Sequence, residues 1–415
     1  MRAVNNFATH CLFIVLNDYG SGSLARLLHA PFWMSKQTSR RIVALLQRRE
    51  PQNHAVKSVV RFILCFLVFG VGALSSRGAF TSFHVFGDSV STTTNGPGGA
   101  SYYGRSYCNG RVWVEVLAQR QGLTYVSNQN WSFYGHYSPI LVANISAYAA
   151  PPDVSTALYV VWINNADFVF NIENYYPYNA TKLAAWTNSM NQSLSNHSLI
   201  IQTLYNKGVR TLIMPNVSDL GKMPIYVGLD AASKTFIRQR TIEYNAAFAQ
   251  RLQQARTNFA NLTIYSADIF SLQDDILAHA SDYGLTNALY QGRSVGALDD
   301  PAVANKALNG PGTNHIFWDD LDPTAKCHAV IADHVQQLIS PVRIADITST
   351  AGNSQIVIAN TPVGRNGFVE GSTNFVNWIT TQGITSSNVT QTVSIPATAP
   401  HEFYRLRFPL SWTWP

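Results

Sequence analysis

From residue 80 onward, short apolar runs alternate with longer amphipathic stretches. Runs at 80–86, 124–127, 156–163, 209–214, 262–265 and 315–317 have the length and composition of buried strands. Between them, 111–121, 181–206, 231–258, 269–280 and 323–339 read as helices. In 181–206, Leu183, Trp186, Met190 and Leu194 recur at three- and four-residue steps, the stripe of a helix packed on a core. Lys207-Gly208 follows with a C-terminal glycine. Alternating strands and helices predict an α/β fold with three layers, a parallel sheet covered by helices on both faces. In such sheets the functional site lies at the carboxyl ends of the strands. Residues 283–312, rich in Gly, Asp and Pro, read as an insertion near that end.

After Ser340-Pro341 the texture changes. Residues 341–415 are rich in Thr, Ser, Val, Ile and Asn, with turn signals at 351–353, 364–367 and 397–400. Alternating runs at 355–359, 390–395 and 403–408 predict a small all-β, sandwich-like module. Trp378, Trp412 and Trp414 are candidates for stacking on sugar or for filling a small core. The module is therefore a stabilising cap or a contact for polysaccharide or a cell surface.

Residues 1–79 read as a leader. Lys57 and Arg61 flank an apolar run, 62–74, and 75–79 offers a small-residue cleavage region, as in a secretory signal. That run is shorter than the roughly 20 residues of a membrane span. The stretch before residue 56 lacks a fold pattern, so translation from Val56 or Val59 is an alternative start. The leader also explains the net charge of +6: of 29 basic and 23 acidic groups, residues 1–79 hold ten and two, leaving 19 and 21 in the remainder. A nucleic-acid partner is excluded on that balance. The expected localisation is secreted, periplasmic or at the cell surface. Beyond the leader only Cys108 and Cys327 remain, either bridged or as two buried thiols, and no spacing suggests a metal site.

The chemistry begins at Phe86-Gly87-Asp88-Ser89-Val90, where a serine ends a strand beside a glycine and an aspartate. Such a position lifts a nucleophile into a cleft. With the downstream stretch from Tyr103 to Ala118, which includes Asn109-Gly110-Arg111-Val112-Trp113, it resembles the first block of the GDSL, or SGNH, family of serine esterases and lipases. The resemblance spans residues 80–340 in four separated blocks and implies the flavodoxin-like SGNH fold. It makes Ser89 the nucleophile and leaves Asp88 to hold the loop. It implies no cofactor.

The family draws its oxyanion donors from the serine N–H, a glycine N–H of a second block and an asparagine side chain of a third. Asn130 to Gly135 resembles the second block and makes Gly135 a donor. The third block should read Gly-x-Asn-Asp. Aligned on Asp167, this chain has Asn164 for the glycine and Ala166 for the asparagine. Asn165 is the expected donor, with Asn164 as the alternative.

The last block, Phe317 to His328, carries Phe317-Trp318-Asp319 and Pro323-Thr324, but Asp322 stands where the family has its histidine. An Asp before Pro also makes a good helix cap. The expected base is His328, oriented by Asp319, with His315 and His136 as alternatives and no base at all as the remaining case. Two readings follow. The first is a secreted carboxylic ester hydrolase acting on an acyl lipid or an acylated carbohydrate. The second is a catalytically impaired relative that binds carbohydrate or a surface.

Overall fold

The computed structural model describes residues 80–350, 352–396 and 403–415, and two short leader strands, Cys11–Ile14 and Leu28–His29. The apolar run 62–74 and the cleavage region 75–79 lie outside the described residues.

Five strands form the central sheet: β1 (Phe83–Gly87), β2 (Asn130–Ser132), β3 (Leu158–Trp162), β4 (Thr211–Ile213) and β5 (Thr263–Tyr265). Their order is β2-β1-β3-β4-β5, and every pairing is parallel. All five residues of β1 and of β3 are buried, so both faces of the sheet are covered. The helices are α1 (Trp113–Arg120), α2 (Ser138–Ala147), α3 (Asn164–Tyr175), α4 (Ala180–Asn206), α5 (Ala231–Asn258), α6 (Ile269–Ala278) and α7 (Ala325–Ile339). α1 packs on α7, while α4 packs against α2, α3 and α5. This is the expected three-layer α/β/α fold with a parallel sheet.

Two expected strands differ. Residues 124–127 are not a strand; β2 falls later, on Asn130–Ser132. Its buried Asn130 side chain bonds inward, Nδ2 donating to the Ser91 carbonyl at 2.7 Å and Oδ1 accepting the Ser132 N–H at 3.0 Å. Residues 315–317 make only single bridges, His315 to Thr286 and Phe317 to Pro323.

The C-terminal region contains six antiparallel strands: β6 (Arg343–Thr350), β7 (Asn353–Ala359), β8 (Asn366–Ser372), β9 (Ile379–Thr385), β10 (Thr390–Pro396) and β11 (Phe403–Arg407). One sheet runs β6-β7-β10; the other runs β9-β8-β11, continued by Cys11–Ile14 and Leu28–His29. Ile344, Ile356 and Ile358 of the first share a core with Val369, Tyr404 and Leu406 of the second, the arrangement of a sandwich.

The sandwich is locked onto the α/β unit rather than tethered to it. Asp333 on α7 lies 3.0 Å from Arg120 Nε of α1 and 2.9 Å from Arg365 Nη1 of the sandwich, with all three side chains nearly buried. Arg365 also donates to the Phe408 carbonyl at 2.9 Å. Beyond β11, Leu410 and Trp412 pack on the core of the α/β unit. Trp414 donates its indole N–H to the Asn109 carbonyl at 2.8 Å. Two of the three tryptophans considered for sugar stacking are thus used in internal contacts, and Trp378 lies beneath the Arg405 guanidinium at 4.4 Å.

Candidate active site

Strand β1 ends at Gly87, where close packing demands glycine: a Cβ there would stand 2.8 Å from the Trp162 carbonyl of β3. The chain then turns into a single 3₁₀ turn, Ser89–Ser91, capped by Asp88, whose carboxylate accepts the Val90 N–H at 3.3 Å. Burial pushes the Asp88 carboxyl up to about 7, against the backbone N–H groups of Val90 and Ala166 that favour its charge. Asp88 therefore ties the serine turn to the start of α3. Ser89 emerges at the carboxyl end of β1, and no backbone acceptor among the described residues takes its N–H.

Ser89 Oγ donates to Asp322 Oδ1 at 3.1 Å. Asp322 closes a tight loop before α7, in which the Trp318 N–H bonds the Asp322 carbonyl at 2.8 Å. It does not cap α7. That role belongs to Thr324, whose hydroxyl accepts the Cys327 N–H at 3.3 Å, and the helix starts at Ala325. Asp319 Oδ1 accepts the N–H groups of Leu321 at 3.0 Å and Asp322 at 2.7 Å, while Tyr102 donates to Asp319 Oδ2 at 3.2 Å. Burial holds the Asp322 carboxyl well above the usual carboxylate range, and the charges of Asp319 and Asp88 push it further the same way. Burial likewise raises Asp319 to about 6.

The expected histidine base does not meet the serine. His328 is 1% exposed, and its Nδ1 accepts the Trp113 N–H at the start of α1 at 3.2 Å. Burial lowers it to about 3, so the ring is neutral and serves as a cap for α1. It sits in the first turn of α7, three residues past Ala325, and Asp319 is engaged with the Asp322 loop instead of with the ring. His315 bonds Asp300 at 2.9 Å. His136 lies against the Phe133 ring, with burial lowering its pKa. Among the described residues, no histidine lines the cleft at Ser89.

The oxyanion candidates do converge. Gly135 lies at φ +75°, a conformation that favours glycine, and its N–H has no backbone partner among the described residues. Asn165 sits in the first turn of α3. Its Oδ1 accepts the Ser218 N–H at 3.0 Å, which fixes the amide and leaves Nδ2 available. Asn164 is turned away, donating to the Pro215 carbonyl at 3.0 Å. The aligned Asp167 is also internal, accepting from the Ser138 N–H at 2.9 Å and the Ser193 hydroxyl at 2.6 Å. Ser89, Gly135, Asn165 and Asp322 all line one cleft of about 290 Å³.

The remainder of the first block is architectural. Asn109 Oδ1 caps α7 by accepting the Ala325 N–H at 2.8 Å, and Asn109 Nδ2 donates to the Leu308 carbonyl at 2.8 Å. A Cβ at Gly110 would stand 2.8 Å from Ala325 Cβ, so this segment is pressed against the helix that follows the Asp322 loop. Cys108 and Cys327 are free and buried, which corrects the bridged alternative. Burial raises Cys327 to about 12, so it is a neutral thiol. Among the described residues no His, Cys, Asp or Glu cluster could hold a metal.

Residues 84–335 match the family model for GDSL-like lipase/acylhydrolase, more than half of the chain. The chain belongs to the GDSL-like lipase/acylhydrolase family. Curated GDSL relatives include an esterase/lipase of Arabidopsis thaliana, 19% identical over 251 residues, covering 58% of this chain and 69% of the relative. A second esterase/lipase of that plant is 22% identical over 218 residues, covering 49% of this chain and 59% of the relative. Among solved structures, an acetylxylan esterase of Geobacillus stearothermophilus aligns at TM-score 0.36 and 13% identity, covering 63% of this chain and 95% of that one. GDSL proteins are ester hydrolases as a class. Against the GDSL pattern, the residue that position alone should have marked here is Asp322, because it occupies the histidine's place. Tyr102 carried no sequence signal; only the fold brings it to Asp319.

Proposed function

We propose that this chain hydrolyses carboxylic esters, with Ser89 as nucleophile and Asp322 as general base. The observation that carries this reading is the 3.1 Å hydrogen bond from Ser89 Oγ to Asp322 Oδ1, inside a cleft that also presents Gly135 and Asn165. An ordinary carboxylate is a weak base for a serine. A carboxylate whose proton affinity is raised by burial and neighbouring charge is a stronger one. Ionised Asp322 takes the hydroxyl proton as Ser89 Oγ attacks the acyl carbon. The developing oxyanion receives the N–H groups of Ser89 and Gly135 and the Asn165 amide. Protonated Asp322 returns the proton to the alkoxide, which leaves as the alcohol. Water then attacks the acyl-serine as Asp322 accepts its proton; the acyl–Oγ bond breaks, Asp322 returns that proton to Ser89 Oγ, and the acid is released.

The reading extends to an exported protein, supported by the signal-like 57–79, and to a lipid or acylated-carbohydrate ester as substrate. Turnover of 4-nitrophenyl acetate tests the chemistry. Hydrolysis abolished in Ser89→Ala, with fluorophosphonate labelling of Ser89, supports it; hydrolysis unchanged in Ser89→Ala removes the nucleophile from the scheme.

A second reading is a non-catalytic binding protein. It is favoured by the absence of any histidine from the cleft lining among the described residues. Failure of both ester turnover and labelling would select it.

A further inference from the structure

The cleft that holds the catalytic groups is also bordered by apolar stripes from two helices. On α6, Ile269, Leu272 and Ile276 recur at three- and four-residue steps; on α7, Cys327 and Ile331 are four apart. All five side chains border the cavity and each is at most 5% exposed. Ile331 lies about 9 Å along the axis of α7 from Ala325, at 1.5 Å per residue. The cavity therefore runs well beyond the Asp322 loop.

The Gln273 amide and the Ser218 N–H, which border the cleft, are both engaged within the protein. Gln273 accepts the Asp219 N–H at 2.7 Å and donates to the Asp219 carbonyl at 3.2 Å. The Ser218 N–H is taken by Asn165. Cys327 is a neutral thiol that behaves as a small apolar group. A sugar ring placed against these stripes would lose its hydrogen bonds to water and find few replacements, whereas an apolar cavity takes hydrocarbon.

We infer that the arm between α6 and α7 is the acyl pocket, and that the preferred substrates are esters of medium-chain fatty acids rather than acetate esters. This inference rests on the ester-hydrolase reading. The acyl half, not the alcohol, belongs in the apolar arm because it stays bonded to Ser89 after the alcohol departs. The alcohol leaves by the open mouth, where Tyr134 is 58% exposed and stacked on Tyr107 at 5.4 Å.

The test compares kcat/KM for 4-nitrophenyl acetate, butyrate and octanoate in the full chain. Each methylene buried contributes roughly fourfold, so octanoate should exceed acetate by at least about tenfold even with partial burial. Ile331→Phe, which fills the arm, should lower the octanoate-to-acetate ratio by about tenfold. Octanoate binding to Ser89→Ala protein, measured by calorimetry against acetate, reads the pocket without turnover. Acetate favoured or equal, in a Ser89-dependent reaction, overturns the acyl pocket and leaves the hydrolase reading intact. No turnover of any ester, with octanoate bound by Ser89→Ala and lost on adding Ile331→Phe, overturns the hydrolase reading and supports the pocket. Neither turnover nor octanoate binding overturns both. If Ile331→Phe fails to fold, the chain-length series and the binding measurement decide.

Discussion

Asp319 Oδ1 accepts the backbone N–H of Asp322 at 2.7 Å, so one carboxylate both shapes the loop of its neighbour and charges its surroundings. The two effects separate in Asp319→Asn. Asparagine keeps the accepting oxygen for Leu321 and Asp322 but removes a negative charge that raises the Asp322 pKa. Asp322 acts as a base only when ionised, so activity should rise with pH along a limb above the ordinary carboxylate range. In Asp319→Asn that limb should move to lower pH. A kcat profile from pH 4 to 9 checks it; a limb that stays put assigns the titration to another group.

Asp322→Asn should lower kcat by about 10²–10⁴, the usual contribution of a general base. His328→Asn should change kcat by less than tenfold while lowering the melting temperature, because the ring caps α1 through the Trp113 N–H. The opposite ranking would return the base to His328.

Asn165→Ala should cost about 10²–10³ in kcat with little change in KM, as loss of one oxyanion donor does. Asn164→Ala should spare kcat and act on stability through the lost bond to Pro215. Steady-state kinetics on both variants separates the two adjacent amides.

Asp88 and Asp319 both bind protons more tightly folded than unfolded, at about 7 and about 6. Their stabilising contribution is complete below the unfolded carboxylate pKa of about 4 and is lost as pH climbs through 6 to 7. The melting temperature should fall between about pH 4 and 7. Asp88→Asn should flatten that fall, and thermal unfolding at several pH values measures it.

Arg365→Ala should destabilise the chain by about 3 kcal/mol, since it strips one partner from a buried carboxylate. Urea titration monitored by tryptophan fluorescence should also lose a single transition, as the sandwich separates from α1 and α7.

The layered fold was legible because its helices carry strong local signals. α5 runs over Ala231–Asn258 as expected, for Asp230 caps it by accepting the Ser233 N–H at 2.8 Å. β2 was misplaced because its buried residues are polar, and hydrophobic pattern is blind to an Asn that bonds inward. α2 and α3 are not among the helices that the pattern predicts. α3 starts at the departing third block without a side-chain cap, and its first turn points the two amides apart. At the site, Ser89, Gly135 and Asn165 were named from their blocks. Asp322 was set aside as a cap and His328 preferred, because titration behaviour inferred from sequence assumes solvent. Burial inverts it, weakening the histidine as a base and strengthening the carboxylate.

The Arg120–Asp333–Arg365 cluster also joins parts of the chain made at different times. Arg120 and Asp333 are both translated before the sandwich exists, so the pair can form when α7 docks on α1. Arg365 follows, and the Phe408 carbonyl that holds its guanidinium is synthesised later still. Of the two cations on the Asp333 carboxylate, one is internal to the α/β unit and the other is supplied only once the sandwich is in place.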